Sequence, residues 1–131
     1  IFKELAIPDS NFLFSGEVRN PQSGMCFDTL GKRDDHPLGL YMCHGQGGNQ
    51  YFTLNSKGEI KSEDNCLDFN GYDLYLRECD DLGQNQKWEY KDSKIRNIRR
   101  DVCLDRGDSN TEHVKAVACH GGESQQWTFG S

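Results

Sequence analysis

The sequence predicts an all-β chain built from three copies of one unit of about 40 residues. The first observation is a motif of cysteine, an apolar residue and aspartate, which occurs as Cys26-Phe27-Asp28, Cys66-Leu67-Asp68 and Cys103-Leu104-Asp105. The second observation is 14 glycines with recurrent turn dipeptides and no sustained helical periodicity. Together they indicate short strands joined by tight turns and repeated three times.

Three further features accompany the motif in every unit. A β-branched residue precedes the motif, a second cysteine follows it, and a glutamine-x-aromatic triplet closes the unit. The β-branched residues are Val18, Ile60 and Ile95, the second cysteines are Cys43, Cys79 and Cys119, and the triplets are Gln50-Tyr51-Phe52, Gln86-Lys87-Trp88 and Gln125-Gln126-Trp127. Four features in the same order in three units are a repeat and not a coincidence of composition.

The strand before each second cysteine shows which side chains face the core. Positions five and three before that cysteine are apolar in all three units, so alternation turns them inward. They are Leu38 and Leu40, Leu74 and Leu76, and Val114 and Ala116. The position two before the cysteine must then face outward, and Tyr41, Arg77 and Val117 occupy it.

Units of this size cannot each bury an apolar face alone, so they must share one core. A closed threefold arrangement, the β-trefoil, meets this requirement. We expect Phe52, Trp88 and Trp127 in the shared centre. The glutamines of the triplets are expected to satisfy buried backbone groups.

The six cysteines divide into two per unit, which selects the pairs Cys26–Cys43, Cys66–Cys79 and Cys103–Cys119. Zinc binding or reactive thiols are the alternative, but the chain has no Cys-x-x-Cys pair and its cysteine count is even. Disulfides indicate an oxidising compartment, either the secretory lumen or the exterior of the cell.

The net charge of −6 and the pI near 5.1 argue against a nucleic-acid partner, which needs an excess of clustered cations. One basic run is interleaved with aspartates and is expected to be a solvated ridge. It comprises Lys91, Lys94, Arg96, Arg99 and Arg100. No apolar stretch approaches the roughly 18 residues of a membrane span, so we expect no membrane contact by this module. We also expect it to be a monomer.

Residues 1–14 contain Pro8 and none of the repeat features, so we expect them to be a connector from a preceding domain. The chain begins at Ile1 without an apolar signal core, as expected for a module of a longer parent. Residues 15–131 form the predicted domain. Its units are alpha at 15–57, beta at 58–92 and gamma at 93–131.

The three motif copies resemble the ricin-type β-trefoil lectins. The string Tyr41-Met42-Cys43-His44-Gly45-Gln46-Gly47-Gly48-Asn49-Gln50 is similar to the lectin domain of the polypeptide N-acetylgalactosaminyltransferases, which start mucin-type O-glycosylation. The resemblance covers about residues 15–131, and residues 1–11 are similar to the connector from the catalytic domain. It implies a lectin for N-acetylgalactosamine (GalNAc) linked to Ser or Thr, in a Golgi enzyme anchored as a type II membrane protein.

The resemblance also implies a separate catalytic domain that uses manganese and UDP-GalNAc. None of that machinery is in this chain, so the module is expected to bind and not to catalyse, with no cofactor or metal of its own. Its expected partners are GalNAc-bearing glycopeptides, mucin-like proteins and the linked catalytic domain.

The alpha unit carries the groups that a GalNAc ring requires. Vicinal hydroxyls need an acceptor and an amide, and the C–H face of the ring needs an aromatic platform. Asp28 accepts hydroxyl protons, Asn49 donates and accepts, Tyr41 is the platform and His44 adds a hydrogen bond; all four match the family's binding positions. The disulfide Cys26–Cys43 would hold Asp28 beside Tyr41 and His44.

The beta unit is a weaker candidate for the same function. It keeps Asp68 and Asn85, but Arg77 replaces the platform and Asp80 stands where alpha has His44. A guanidinium can lie flat against a sugar ring, and Tyr75 is near in sequence.

The gamma unit keeps Asp105 and His120 but has Val117 at the platform position and Ser124 in place of the asparagine. We therefore expect gamma to be a structural repeat.

Other functions stay open at this point. A galactose-binding ricin-type lectin from a toxin or secreted hydrolase shares the fold, and a protein-binding trefoil without a sugar site is a further alternative. The tripeptide Arg106-Gly107-Asp108 occurs in integrin ligands, but a turn is expected there. Glycosidase carboxylates would have to come from aspartates on separate units, and no loop has the oxygen cluster of a calcium site. The charged residues 32–35 are expected to form a solvated loop.

Overall fold

The computed structural model describes residues 12–31, 36–108 and 113–130, and the following account concerns these residues. They form fourteen short strands, and no helix among them is long and apolar enough to cross a membrane. The strands are β1 Phe12–Gly16, β2 Val18–Asn20, β3 Met25–Asp28, β4 His36–Pro37, β5 Gly39–Met42, β6 Phe52–Asn55, β7 Ile60–Ser62, β8 Asn65–Phe69, β9 Leu74–Glu78, β10 Trp88–Lys91, β11 Lys94–Asn97, β12 Val102–Asp105, β13 Lys115–Ala118 and β14 Thr128–Phe129.

Every strand pair is antiparallel, and the three predicted units follow the same path. One sheet has the order β1-β6-β7-β8-β9-β4, a second runs from β10 to β13, and a third has the order β14-β2-β3-β5. Because β14 pairs with β2, the last unit closes onto the first. Each unit also has one 3₁₀ turn just before its core aromatic residue, at Gly48–Gln50, Gln84–Gln86 and Glu123–Gln125.

Equivalent residues of the three units meet in the interior. The amide of Leu38 donates to the carbonyl of Leu74 at 3.4 Å, and the amide of Val114 donates to the carbonyl of Leu38 at 3.0 Å. These are the predicted inward positions five before each second cysteine. The contacts show that the three units share one core around a pseudo-threefold axis.

The predicted core residues are buried. The motif positions Phe27, Leu67 and Leu104 and the β-branched positions Val18, Ile60 and Ile95 are each 0% exposed. The aromatic residues Phe52, Trp88 and Trp127 are also inaccessible, and both indoles are anchored. Trp88 Nε1 donates to the Leu67 carbonyl at 2.9 Å, and Trp127 Nε1 donates to the Leu104 carbonyl at 3.0 Å.

All three predicted disulfides are present, so the all-β prediction with one bridge per unit is confirmed. Two groups that combine a glutamate with cysteines have the spacing of metal ligands, Glu17 with Cys26 and Cys43 and Glu59 with Cys66 and Cys79. Their sulfurs are consumed in the disulfides. They therefore offer no thiolate to a metal.

Strand β1 begins at Phe12, inside the predicted connector 1–14, and pairs with β6. The ring of Phe14 packs edge-on against Tyr90 with centroids 4.9 Å apart and also contacts Phe129. Residues 12–14 are thus attached to the sheet. The rest of the predicted connector, at 1–11, and the charged loop at 32–35 lie outside the described residues.

The basic run lies on β10, β11 and the turn after β11, and two of its five cations, Arg96 and Arg100, contact neighbouring residues. Arg96 forms ion pairs with Glu89 at 2.8 Å and with Asp101 at 3.0 Å. The guanidinium of Arg100 donates to the Asn70 carbonyl at 2.9 Å. These contacts fit the expectation of a solvated ridge.

Candidate functional site

The pairing of β3 with β5 places Asp28 and Tyr41 on one face of the alpha unit. Asp28 lies opposite Gly39, and Cys26 lies opposite Tyr41. Residues that face each other across antiparallel strands project from the same side of the sheet, as do residues two apart. Gly39 has no side chain, and the Leu30 side chain fills the space above it. The Tyr41 ring is 59% exposed, as the platform prediction requires.

Gly39 itself has little freedom to change. A Cβ at this position would lie 2.5 Å from Leu30 Cδ1 and 2.9 Å from the Asp28 carbonyl oxygen. A larger residue would displace the turn that follows Asp28.

The carboxylate of Asp28 is held in place by two donors. The amide of Leu30 donates to Oδ1 at 2.7 Å, and Nε2 of Gln50 donates to Oδ2 at 2.9 Å. Asp28 is only 5% exposed, so these bonds determine its orientation. A carboxylate has about four lone-pair positions, and two remain to accept hydroxyl protons.

Gln50 connects the aspartate to the rest of the site. It is 1% exposed, and its Nε2 also donates to the Met42 carbonyl at 2.9 Å. Its Oε1 accepts the backbone amide of His44 at 3.1 Å. The prediction that the glutamine satisfies buried backbone groups is confirmed, but its bond to the Asp28 carboxylate was not foreseen.

His44 and Asn49 flank this carboxylate. The amide of Gln46 donates to His44 Nδ1 at 3.0 Å, so the neutral ring carries its proton on Nε2 and can donate it to a ligand. The Asn49 carbonyl accepts the amide of Thr29 at 3.0 Å, which places Asn49 beside the residue after Asp28. All four predicted alpha residues therefore lie around the end of β3.

The beta unit places three of its four predicted residues on one groove of about 560 Å³, which is lined by Asp68, Arg77 and Asp80 among others. The guanidinium of Arg77 lies over the Tyr75 ring, 4.9 Å from its centroid, and Tyr75 faces Asp68 across β8 and β9. The fourth residue, Asn85, does not line this groove. Its side-chain oxygen is buried without a hydrogen-bond partner in the described part of the chain.

The carboxylate of Asp105, the gamma aspartate, already accepts hydrogen bonds from residues of its own unit. Asp105 accepts the Gly107 amide on Oδ1, and both Ser124 Oγ and Gln125 Nε2 donate to Oδ2. His120 Nε2 lies 3.5 Å from the same oxygen. The serine that replaces the asparagine thus consumes acceptor capacity, which supports the prediction that gamma is structural.

The Arg106-Gly107-Asp108 segment is part of this gamma turn. The guanidinium of Arg106 donates to the Gln22 side chain at 2.9 Å and to the Gly107 carbonyl at 3.0 Å. The turn expected after Asp105 is present, and its arginine is held within the protein.

The family model described as the ricin-type beta-trefoil lectin domain matches residues 14–128. The chain belongs to this family, and the β-trefoil prediction is confirmed.

Its relatives include polypeptide N-acetylgalactosaminyltransferase 13 of Homo sapiens, which is 34% identical over 96% of this chain and 24% of its own length. Polypeptide N-acetylgalactosaminyltransferase 5 of Caenorhabditis elegans is 34% identical over 98% of this chain and 21% of its own length. The chain thus spans about a quarter of the length of these relatives.

Two solved structures have the same fold. The crystal structure of GalNAc-T7 with UDP, GalNAc and Mn²⁺ has a TM-score of 0.83 and 26% identity, and it aligns over 95% of this chain and 23% of that chain. The earthworm R-type lectin C-half in complex with GalNAc has a TM-score of 0.76 and 20% identity, over 89% of this chain and 98% of that chain. The second likeness concerns the fold alone.

Proposed function

We propose that this chain is a lectin module that binds GalNAc linked to Ser or Thr through its alpha unit. The observation that carries the proposal is the Asp28 carboxylate, which is oriented by two donors and lies on the same sheet face as the exposed ring of Tyr41. Asp28 accepts two sugar hydroxyls, Tyr41 covers the C–H face of the ring, and His44 and Asn49 complete the hydrogen bonds. Membership of a lectin family supports the same assignment.

Binding at this site is expected to be weak. The alpha face is open, with one aromatic platform, and a single sugar offers few atoms to it. We expect a dissociation constant between about 1 mM and tens of micromolar, or about −4 to −6 kcal/mol. Because Gln50 holds the carboxylate before the sugar arrives, little ordering cost is added on binding.

We further propose that the module tethers partly glycosylated, mucin-like substrates for a linked GalNAc-transferase domain in the Golgi lumen. The relatives that carry this type of domain and the three disulfides support this. A weak site is sufficient for the task, because a tether raises the effective concentration of the substrate near the catalytic domain. Manganese and UDP-GalNAc belong to that domain and not to the lectin site.

The beta groove is a second and weaker sugar site in this proposal. Arg77 lies over Tyr75, which faces Asp68, so a planar cation replaces the aromatic platform. Asp68 accepts a bond from Gln86 at 3.0 Å, in the same way that Asp28 accepts one from Gln50. Asn85 does not line the groove, so this site lacks the amide that Asn49 supplies in the alpha unit.

The test is a titration of the 131-residue chain, followed by NMR, with a GalNAc-threonine peptide, its unglycosylated twin and free galactose. Asp28→Asn keeps the size of the side chain but removes the charge, and we expect it to weaken GalNAc binding at least tenfold. Asp105→Asn is the matched control, because the gamma carboxylate is filled by its own unit, and it should leave binding unchanged.

Each outcome discriminates between the functions. A preference for galactose would assign the chain to the toxin-like lectins. Absence of binding to every sugar would refute the lectin proposal and favour a protein-binding trefoil. For the tether, Asp28→Asn in the full-length parent should slow glycosylation of peptides that already bear a distant GalNAc and leave naked peptides unaffected.

A further inference from the structure

A polar cavity of about 180 Å³ lies between the alpha and beta units, and we call it the interrepeat cavity. The alpha unit contributes the turn after β3, strand β4 and the 3₁₀ turn at Gly48–Gln50. The beta unit contributes the turn between β7 and β8. The side chains that line it and matter here are Thr29, His36, Asn49, Ser62, Glu63 and Asp64.

Several polar groups of this cavity are not used by the protein. His36 is 5% exposed, and both of its ring nitrogens are buried without a hydrogen-bond partner among the described residues. The hydroxyls of Thr29 and Ser62 also have no hydrogen bond to a described group, but they are not fully buried as the His36 nitrogens are. Buried polar groups are nearly always satisfied, so the two unpartnered imidazole nitrogens at this cavity point to a ligand.

The two carboxylates give the cavity a negative rim. Glu63 and Asp64 form the exposed turn between β7 and β8, and neither is paired with a cation within the described residues. Among the described lining residues, His36 alone is able to carry a positive charge. The whole chain carries a net charge of −6, which adds to the attraction for a cation.

The cavity adjoins both sugar sites of the proposed function. Asn49 belongs to the alpha site and also lines the cavity, while Asp64 lines both the cavity and the beta groove. None of the described lining residues is a phenylalanine, tyrosine or tryptophan, so they offer no platform for the face of a sugar. Its hydroxyls, amide and imidazole instead match the alternating N–H and C=O groups of a peptide backbone.

We propose that the interrepeat cavity is a peptide subsite, and that it selects glycopeptides with lysine or arginine next to the GalNAc-bearing residue. The inference rests on the proposed sugar site at Asp28, which delivers the peptide to the cavity. The peptide backbone bonds to Thr29, Ser62 and His36, and the cationic side chain lies against Glu63 and Asp64. The module therefore reads the peptide as well as the sugar.

The first experiment compares three probes on the 131-residue chain by NMR titration at low salt. They are methyl α-GalNAc, a GalNAc-threonine peptide flanked by alanines, and the same peptide flanked by lysines. Exposed ion pairs are individually weak, so two of them should make the lysine peptide about fourfold tighter than the alanine peptide. The ratio should fall toward one at high salt, because the pairs are screened.

The decisive variant is the double change Glu63→Gln and Asp64→Asn. It should abolish the preference for lysine, while the affinity of the alpha site for methyl α-GalNAc, followed through the NMR signals of the alpha unit, stays unchanged. The matched control is Asp92→Asn with Asp101→Asn, which removes the same charge from exposed turn residues elsewhere in the chain and should keep the preference. Both control residues have a positive φ, as Glu63 has.

A second variant tests the hydrogen bonds separately from the charge. Thr29→Val preserves the side-chain shape and removes a hydroxyl that no described group uses, so the melting temperature should stay close to wild type. Affinity for both glycopeptides should fall about threefold, with affinity for methyl α-GalNAc unchanged. Thr128→Val, at an exposed residue of β14, is the control.

Failure of this inference and failure of the proposed function give different results. If all three GalNAc probes bind and the two peptides have equal affinity, the peptide subsite is refuted and the sugar site stands. A lysine preference that survives Glu63→Gln with Asp64→Asn also refutes the subsite. If methyl α-GalNAc and both glycopeptides fail to bind, the sugar site is refuted and the subsite that depends on it falls with it.

Discussion

Replacing Gln50 by alanine tests the structural basis of the alpha site most directly. The change removes three hydrogen bonds: one to the Asp28 carboxylate, one to the Met42 carbonyl and one from the His44 amide. The bond to a charged group contributes about 1.5–3 kcal/mol and each of the others about 1 kcal/mol. We therefore expect Gln50→Ala to lower the free energy of unfolding by about 4 kcal/mol, a large share of the stability of a small domain.

Urea unfolding of the oxidised chain measures this loss, and a constant slope with urea would show that the change acts on stability alone. Gln125→Ala should destabilise the gamma unit by a similar amount, because Gln125 makes the equivalent bonds to Asp105, Ala118 and His120. Gln126→Ala, at the exposed neighbour, should cost less than about 0.5 kcal/mol.

Sugar binding separates the two buried glutamines. Of these two variants, only Gln50→Ala should weaken GalNAc binding, since Gln125 orients Asp105, which the proposed sugar site does not use. The reasoning would be refuted if Gln50→Ala unfolded within about 1 kcal/mol of wild type, or if it bound GalNAc as wild type does.

Three further predictions concern the core, the surface and the cavity. Trp88→Phe should cost about 2–3 kcal/mol in urea unfolding, because it leaves the buried Leu67 carbonyl without its donor and opens a void; a loss below 0.5 kcal/mol would contradict this. Arg96 donates a hydrogen bond to Glu89, and this bond, together with the charge of the guanidinium, lowers the pKa of Glu89 from its ordinary value of 4.5. The ion pair therefore stabilises the fold above that pH. Because both side chains are partly exposed, Glu89→Gln should lower the free energy of unfolding by less than about 1 kcal/mol at pH 7. This difference between variant and wild type should vanish as the pH falls through the lowered pKa of Glu89. A difference that persists in acid would count against the ion pair as its cause. His36→Leu should raise the melting temperature, since it replaces two unsatisfied buried nitrogens, and an unchanged or lower value would show that the imidazole already has a partner such as water.

Much of the fold was predictable because the same pattern of apolar and polar positions occurs in all three units. The inward positions before each second cysteine, such as Leu38 and Leu76, are buried as alternation required. At the outward position two before the cysteine, Tyr41 and Val117 are exposed as predicted, whereas Arg77 is half-buried. The alternation ends at Met42, which is 68% exposed, because the strand leaves the core there.

The sequence predicted which residues form the candidate site but not the hydrogen bonds that hold them in place. The Gln-x-aromatic triplet indicated a buried glutamine, yet the bond from Gln50 to Asp28 joins residues 22 apart. The recurrence of the aspartate and the glutamine in every unit was the signal that could have revealed it. The role of Ser124 as a donor to Asp105 was also hidden, since a serine in place of an asparagine looked only like a loss.

The interrepeat cavity had one signal in the sequence. Ser62 stands where the other two units have Asn20 and Asn97, whose side chains donate to a 3₁₀ turn of the neighbouring unit, so the shorter serine leaves space there. His36 and Thr29 belong to no repeated motif. Thr29 and His36 come from the alpha unit and Ser62 from the beta unit, so they meet only when the units pack together.

The sequence by itself determined the strand pattern, the disulfide pairs and the shared core, and it supplied the prediction of the alpha site residues. These features depend on local alternation and on spacing within one unit, both of which a linear chain displays directly. The tertiary structure alone decided which aspartates keep free lone pairs and where a cavity opens between units. Those properties depend on donors brought in from distant positions, and hydrogen-bond geometry across unit boundaries is not encoded in any single stretch of sequence.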